Sequence, residues 1–202
     1  MAYLILLLLI IGSYLYGSVP FALVVGKVFF GIDVREHGSK NLGGTNTGRV
    51  LGRKAGLAVI ILDIFKCFVC VTITKIVGHF IDLPSFAIYT SAISCVIGHC
   101  FPIFANFKGG KAVSVMFGYA LGFGFWVFAI VGIVFLSVLK VTKYVSLSSI
   151  IAVCTLVLLS PVFNFGLVGT MCNIFIAALL IYRHRANIER IKNGTESKIT
   201  WM

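Results

Sequence analysis

Charge is what this sequence has least of. Only 11% of its 202 residues are charged, and six acidic residues stand against 17 Lys and Arg. Soluble domains carry about 25% charged residues, so a solvated domain of any size is excluded. So few acids also exclude carboxylate-pair chemistry, because no two have a spacing suited to acid–base work. Cysteine is present but badly placed for either of its usual structural uses. Cys67, Cys70, Cys95, Cys154 and Cys172 sit inside apolar runs, where cysteine behaves as a small buried hydrophobe. The Cys67-x-x-Cys70 spacing lacks a thioredoxin-like context. Cys100 stands beside His99 but has no second ligand pair for zinc. No structural disulfide, metal or cofactor is expected. A Walker loop, a dinucleotide fingerprint and a clear internal repeat are missing as well.

What is there is oil. The chain is 59% hydrophobic, with a mean hydropathy of +1.06, which predicts an all-α polytopic transmembrane bundle. The net charge of +11 would suit a nucleic-acid binder. Its cations, however, are interleaved with long apolar runs, so the partner implied is the lipid bilayer and not nucleic acid. No obligate protein partner is implied either.

The first apolar run covers residues 3–30 with no Lys or Arg before it, which reads as a retained span, not a signal peptide. Pro20, in Gly17-Ser18-Val19-Pro20, predicts a kink there. A second span is expected from Ala55 to Val77, with Lys75, His79 and Asp82 marking a short loop beyond it. It carries Asp63 and Lys66 three residues apart, on one helical face. A lone charge at mid-bilayer costs about 2.5–3.5 kcal/mol, so the two should pair and face inward. An ion pair that staples this helix to its neighbours is favoured over a direct catalytic role. A third span, Leu83 to Ile97, is followed by an uncharged run from Ala112 to Val138. That run would be about 40 Å long as a helix, against roughly 30 Å of hydrocarbon. Two more spans, Ser146 to Pro161 and Leu167 to Tyr182, lead to a basic tail.

Four regions (27–54, 98–111, 140–143 and the tail from Arg183) hold fifteen of the 17 Lys and Arg. The positive-inside rule places all four in the cytoplasm. The run from 112 to 138 must then cross an even number of times, with its turn at Gly122 and Gly124. This gives about seven spans, N-terminus outside and C-terminus cytoplasmic. A re-entrant hairpin satisfies the same parity.

The longest break in the oil is HGSKNLGGTNTGR, His37 to Arg49. It supplies Ser39, Asn41, Thr45, Asn46 and Thr47 as side chains able to bind oxyanions. Gly43-Gly44 allows a tight turn presenting backbone N–H groups, and Arg49 offers a bidentate guanidinium. These parts suit a phosphate, although a flexible linker would use the same glycines. The predicted topology puts Lys108-Gly109-Gly110-Lys111, Ser146 and the tail from His184 to Glu196 on the same face. An anion there could meet Arg49, Lys108, Lys111, Arg183, Arg185 and Arg190. Charge-assisted hydrogen bonds of about 1.5–3 kcal/mol each would hold a phosphorylated substrate. For any one cation, setting topology and touching headgroups is the better account.

Three stretches together carry a resemblance: SKNLGGTNTGR (Ser39–Arg49), GHCFPIFANFKGGK (Gly98–Lys111) and HRANIERIKNGTE (His184–Glu196). They resemble the signature motifs of the bacterial acyl-phosphate:glycerol-3-phosphate acyltransferase family, in the same order and with compatible spacing. GSVPFA (Gly17–Ala22), LDIFK (Leu62–Lys66) and YVSLSS (Tyr144–Ser149) resemble its lesser blocks. The resemblance implies a multi-pass inner-membrane enzyme, one domain over residues 1–202, with its active site at the cytoplasmic face. Such an enzyme moves a fatty acyl group from acyl phosphate to the 1-hydroxyl of glycerol 3-phosphate, giving lysophosphatidic acid and phosphate. It implies that Ser39, Arg49, Lys108, Ser146, His184 and Asn187 line the polar pocket. Among these, Ser39, Arg49, Lys108 and His184 would act in catalysis. Asn41, Gly43, Gly44, Thr45, Asn46, Lys111, Ser146, Asn187 and Arg190 would bind substrate.

Four residues depart from the family pattern. Lys40 and Ala112 stand at usual glycines, Gly44 at a common alanine, and Cys67 where glycine often follows the lysine. None removes a polar contact. An acyl phosphate is a mixed anhydride with a good leaving group, which fits a chain without the His-x4-Asp dyad of acyl-CoA-type glycerolipid acyltransferases. Direct attack by the glycerol hydroxyl would pass its proton to His184 or to the acyl-phosphate oxygen. The Gly43-Gly44 turn is assigned to the donor's phosphate and Arg49 to the acceptor's, although the residues also fit the reverse. A transporter of phosphorylated metabolites would want the same cations but would more often show repeats and helices broken at mid-bilayer. A purely structural membrane protein leaves the three glycine-rich blocks without a purpose.

Overall fold

The computed structural model describes residues 1–199. All regular structure among them is helical, and the chain divides at Gly122 into two compact units. In the first unit, α1 (Ala2–Gly17) and α2 (Phe21–Phe30) are separated by Ser18, Val19 and Pro20 and bent by 43°. The predicted kink is a full break. Pro20 has no N–H to continue the ladder, and Ser18 closes α1 by donating its own N–H to Tyr14.

Next come α3 (Gly44–Leu51), α4 (Arg53–Phe80) and α5 (Ala87–Cys100), then a 3₁₀ turn (Ile103–Ala105) and α6 (Val113–Phe123). The helix α4 is the post of this unit, packing against α1, α2, α3 and α5. It has 28 residues, about 42 Å, and runs through Lys75 and His79, so only Asp82 of the expected loop trio lies in the loop. Close helix approach depends on small residues. A Cβ at Gly98 would meet the Tyr14 carbonyl oxygen, and one at Gly17 the backbone of Cys95, so α1 and α5 lie backbone to backbone. Hydrogen bonds from Ser94 Oγ to Ile10 (2.8 Å) and from the Tyr14 hydroxyl to Phe101 (3.0 Å) fasten the same pair. Gly44 and Gly56 play this part between α3 and α4, where a methyl at Gly44 would strike Ile60.

In the second unit, α7 (Phe125–Thr142), α8 (Val145–Leu158) and α9 (Gly166–Arg183) pack in sequence, and α10 (Arg185–Lys192) rests on α8 and α9. Asn173 donates to Ser160 Oγ at 2.9 Å within the apolar interior. The tail comes back to the α7–α8 turn, where the Ile199 N–H donates to the Lys143 carbonyl.

Among the described residues, four segments are long and apolar enough to cross a membrane: Arg53–Phe80, Ala87–Ala105, Phe125–Thr142 and Gly166–Arg183. The bent α1–α2 pair makes a fifth if counted as one span. The uncharged run after Ala112 is interrupted at Gly124, within the stretch where a turn was expected. Its first half, α6, has 11 residues, and α8 has 14. At about 16 and 21 Å, neither reaches across roughly 30 Å of hydrocarbon as a straight helix.

Candidate active site

The segment from 35 to 41 is pinned at both ends. Val34 and Leu42 are buried in one apolar cluster with Ala22, Val25, Val59 and Ala105. Between them, Asn46 works as a clamp. Its Nδ2 donates to the carbonyls of Val34 (2.9 Å) and His37 (3.3 Å), and its Oδ1 accepts from the Ser39 N–H (2.8 Å). A buried amide so fully engaged shapes the loop, and this differs from the substrate contact expected of it. Two neighbouring cations are also occupied. Arg35 (2.7 Å) and Lys27 (3.3 Å) both pair with Asp33, and the Arg35 hydrogen bonds hold that carboxyl well below the usual carboxylate range.

Gly43-Gly44 is a helix start where a free turn was expected. Gly43 is the extended N-cap and Gly44 the first residue of α3. The first intrahelical bond belongs to the Thr47 N–H, donating to Gly43. The N–H groups of Gly44, Thr45 and Asn46 therefore lack intrahelical acceptors and point along the positive end of the helix, the arrangement that receives phosphates. Asn41 lies against Gly43, 3.0 Å from where a Cβ would stand. Ser39, Thr45 and Arg49 are exposed, and Arg49 makes no ion pair among the described residues. Lys40 holds a left-handed backbone, φ +58°, which costs a non-glycine residue about 1–2 kcal/mol. Lys40→Gly should raise the melting temperature in detergent, a net gain of about 0.5–1 kcal/mol after the larger unfolded-state entropy of glycine.

The second loop folds back on α5. The Gly110 N–H donates to His99 (3.0 Å) and the Gly109 N–H to Cys100 (3.2 Å). A side chain at Gly110 would collide with the His99 imidazole, and one at Gly109 with the His99 carbonyl. These glycines let Lys108 and Lys111 flank a segment pressed onto a histidine. Lys108 is exposed and Lys111 half-buried. Beneath the loop, Asp63 and Lys66 pair at 2.9 Å as expected. Lys66 also donates to the Val19 carbonyl at the α1–α2 break (3.2 Å). Asp63 has a further partner the sequence reading missed, His99, whose Nδ1 stands 3.6 Å from Oδ1.

The second unit holds the other expected residues, and Glu196 organises them. Its Oε1 accepts from Ser146 Oγ and Asn187 Nδ2, both at 2.7 Å, and its Oε2 from Arg190 Nε at 2.8 Å. Burial pushes the Glu196 carboxyl up, but the bonds from Asn187, Ser146 and Arg190 outweigh it and leave it below its ordinary value. Ser146, Asn187 and Arg190 thus come together around a carboxylate that had been read only as the end of a motif. His184 is buried between α9 and α10, and its Nδ1 lies 2.8 Å from the Leu180 carbonyl. A carbonyl can only accept, so Nδ1 carries a proton.

Helices of this length and apolarity define a membrane-integral protein. The pattern described as Glycerol-3-phosphate acyltransferase matches residues 7–194. The curated Glycerol-3-phosphate acyltransferase of Bacillus cereus (strain G9842) is 48% identical over 95% of this chain and 93% of its own length. That of Geobacillus kaustophilus is 45% identical over 96% of both. Among solved structures, the glycerol 3-phosphate form of PlsY, an integral membrane glycerol 3-phosphate acyltransferase, superposes with a TM-score of 0.90. It is 35% identical and covers 96% of each chain. The lysophosphatidic acid form superposes at 0.88, with 35% identity over 96% of this chain and 95% of the other. The chain belongs to the glycerol-3-phosphate acyltransferase family.

Proposed function

We propose that this protein transfers a fatty acyl group from acyl phosphate to the 1-hydroxyl of glycerol 3-phosphate, releasing lysophosphatidic acid and inorganic phosphate. The observation that carries the donor assignment is chemical. The family's acceptor is a phosphorylated alcohol, yet no described histidine has an aspartate five residues on to activate a thioester reaction. A mixed anhydride needs less activation and brings a second phosphate. Two phosphate-type elements are available, the α3 N-terminus and the loop Lys108–Lys111. The crystallised relative has forms with glycerol 3-phosphate and with lysophosphatidic acid, which supports that acceptor and product here.

In this reading the N–H groups from Gly44 to Asn46, with Ser39, Asn41 and Thr45, take the donor's phosphate. Arg49 takes the acceptor's, and Lys108 and Lys111 neutralise charge as the acyl–phosphate bond breaks. The glycerol oxygen attacks the acyl carbon, the carbon–oxygen bond to phosphate breaks, and the phosphate leaves with its electron pair. The hydroxyl proton goes to Nε2 of His184 or to the departing phosphate oxygen. Ser146, Asn187 and Arg190, ordered by Glu196, form a polar surface of the second unit. No cofactor, metal or protein partner enters the scheme. We place the enzyme in the bacterial inner membrane as one functional domain of about seven spans, the N-terminus outside and the reaction on the cytoplasmic side.

Purified protein given acyl phosphate and labelled glycerol 3-phosphate should form labelled lysophosphatidate, and should not do so with acyl-CoA or acyl carrier protein. Flux of glycerol 3-phosphate into vesicles without product would instead favour a transporter. His184→Gln separates the two proton routes. If Nε2 is the acceptor, kcat falls about 10²-fold and the acidic limb of the pH–rate profile disappears. If the phosphate oxygen takes the proton, that limb stays.

A further inference from the structure

We propose that Asp63, Lys66 and His99 form a positioning network, the shared floor on which both phosphate loops of the first unit are set. The inference rests on reading those loops as phosphate binders and adds residues that reading does not use. All three side chains are almost wholly buried, Lys66 at 1%, Asp63 at 2% and His99 at 6% exposure. A staple between helices needs no buried charge, since well-packed apolar side chains do it as well or better. This network has members a staple would not need. Lys66 reaches the Val19 carbonyl at the α1–α2 break, and Asp63 reaches His99 in the last turn of α5. His99 is where the second loop lands, its carbonyl accepting from the Gly110 N–H and its ring lying flush against Gly110.

The imidazole has Nδ1 facing Asp63 and its Nε2 edge against Gly110. It is a spacer whose orientation Asp63 sets and whose far edge sets the segment between Lys108 and Lys111. The first loop meets the same floor. A pocket of about 180 Å³, open mouth included, is lined by Asp63, Lys66 and His99 together with Leu42 and Gly109. Leu42 is the anchor two residues before α3 begins, and Gly109 belongs to the second loop. One buried charge network therefore lies against the second loop and shares a pocket with the base of the first. Disturbing it should misplace phosphate ligands without removing any of them.

The test is a KM-against-kcat comparison for both phosphorylated substrates in detergent-purified protein. Asp63→Asn is expected to raise KM for acyl phosphate, glycerol 3-phosphate or both by about 5- to 20-fold, with any fall in kcat smaller than that rise. Whichever KM moves identifies the phosphate the floor serves. In a Lys108→Ala background the same change should cost less than about twofold, because the two act through one element. His99→Asn keeps a donor towards Asp63 but shortens the far edge. It should raise the same KM and should also relieve Gly110→Ala, so that the double variant binds better than Gly110→Ala alone. Should Asp63→Asn fail to fold, the His99–Gly110 pair alone decides the matter. A lower melting temperature with both KM values unchanged would reduce the network to a staple and overturn the proposal. So would a loss confined to kcat. If the unaltered protein turns over no acyl phosphate, the donor assignment fails by itself. The network is then read from thermal stabilisation by glycerol 3-phosphate and by inorganic phosphate, which should need several-fold more ligand in His99→Asn. An unchanged dose dependence with both ligands would again overturn it.

Discussion

Arg49→Ala should lower kcat/KM by about 10- to 100-fold, the cost of losing a charge-assisted contact of about 1.5–3 kcal/mol to the acceptor's phosphate. Arg49 is exposed on α3, outside every ion pair of the described residues. Its guanidinium has no competing carboxylate, and the variant leaves no buried charge behind. The melting temperature should stay within about a degree or two, as for surface changes in general. Arg49→Lys should recover only part of the activity, since an ammonium cannot make the bidentate contact. Steady-state assays in detergent with varied glycerol 3-phosphate check this. Near-normal turnover in Arg49→Ala would remove the residue from the site. A contrast sharpens the expectation: Arg35, fourteen residues earlier, is held by Asp33, so Arg35→Ala should leave the acceptor's KM almost untouched.

Glu196→Gln should cost both stability and activity. One carboxylate accepts three side-chain bonds, and its side chain is only 7% exposed. An amide in its place presents an NH₂ to groups that are themselves donors. Losing a hydrogen bond to a charged group costs about 1.5–3 kcal/mol, and with Arg190 partly solvated the lower half of that range is expected. Turnover should fall too, because Ser146 and Asn187 lose the partner that orients them.

The pH dependence has a definite sign. The folded-state pKa of Glu196 lies below its ordinary value of 4.5. Its stabilisation is therefore complete above that ordinary value and is lost as pH falls through the depressed one. Thermal unfolding from pH 7 down to pH 3 should show the wild type losing stability over that acid window, with Glu196→Gln flatter there by this carboxylate's share and Asp33 supplying the slope that remains. Parallel curves would mean that this carboxylate contributes nothing.

Much of this was legible from hydropathy and spacing. The oily runs located the helices, Pro20 the break in the first, and the i,i+3 spacing the Asp63–Lys66 pair. Contacts that depend on distant segments were not. Asp63 and His99 are 36 positions apart, and only the packing of α4 on α5 brings them together. Glu196 was in view as one of six acids, a scarcity that could have flagged it, but nothing in the spacing showed that Ser146 would come back to meet it. Gly43-Gly44 read as a turn because glycine pairs usually are one. Here the constraint is the packing of α3 on α4, which leaves no room for a methyl at Gly44.

The departures from the family pattern were more informative than they looked. Lys40 and Ala112 stand where the resembling family has glycine, and both backbones are left-handed, at φ +58° and +67°. The glycine preference there is conformational, and this chain tolerates the strain. The same lesson applies to Asn46. Its residue type suggested an oxyanion ligand, but its neighbours in three dimensions are the carbonyls of its own loop.

The central claim is that acyl phosphate is the donor and that the glycerol oxygen attacks it directly. A single incubation tests it: purified protein, acyl phosphate labelled in the acyl chain, and glycerol 3-phosphate, followed for lysophosphatidate, inorganic phosphate and protein-bound label. The account predicts one phosphate released per lysophosphatidate formed, and no acyl label on the denatured protein at any time. Phosphate release without ester product, or acyl label trapped on the protein before acceptor is added, would contradict it.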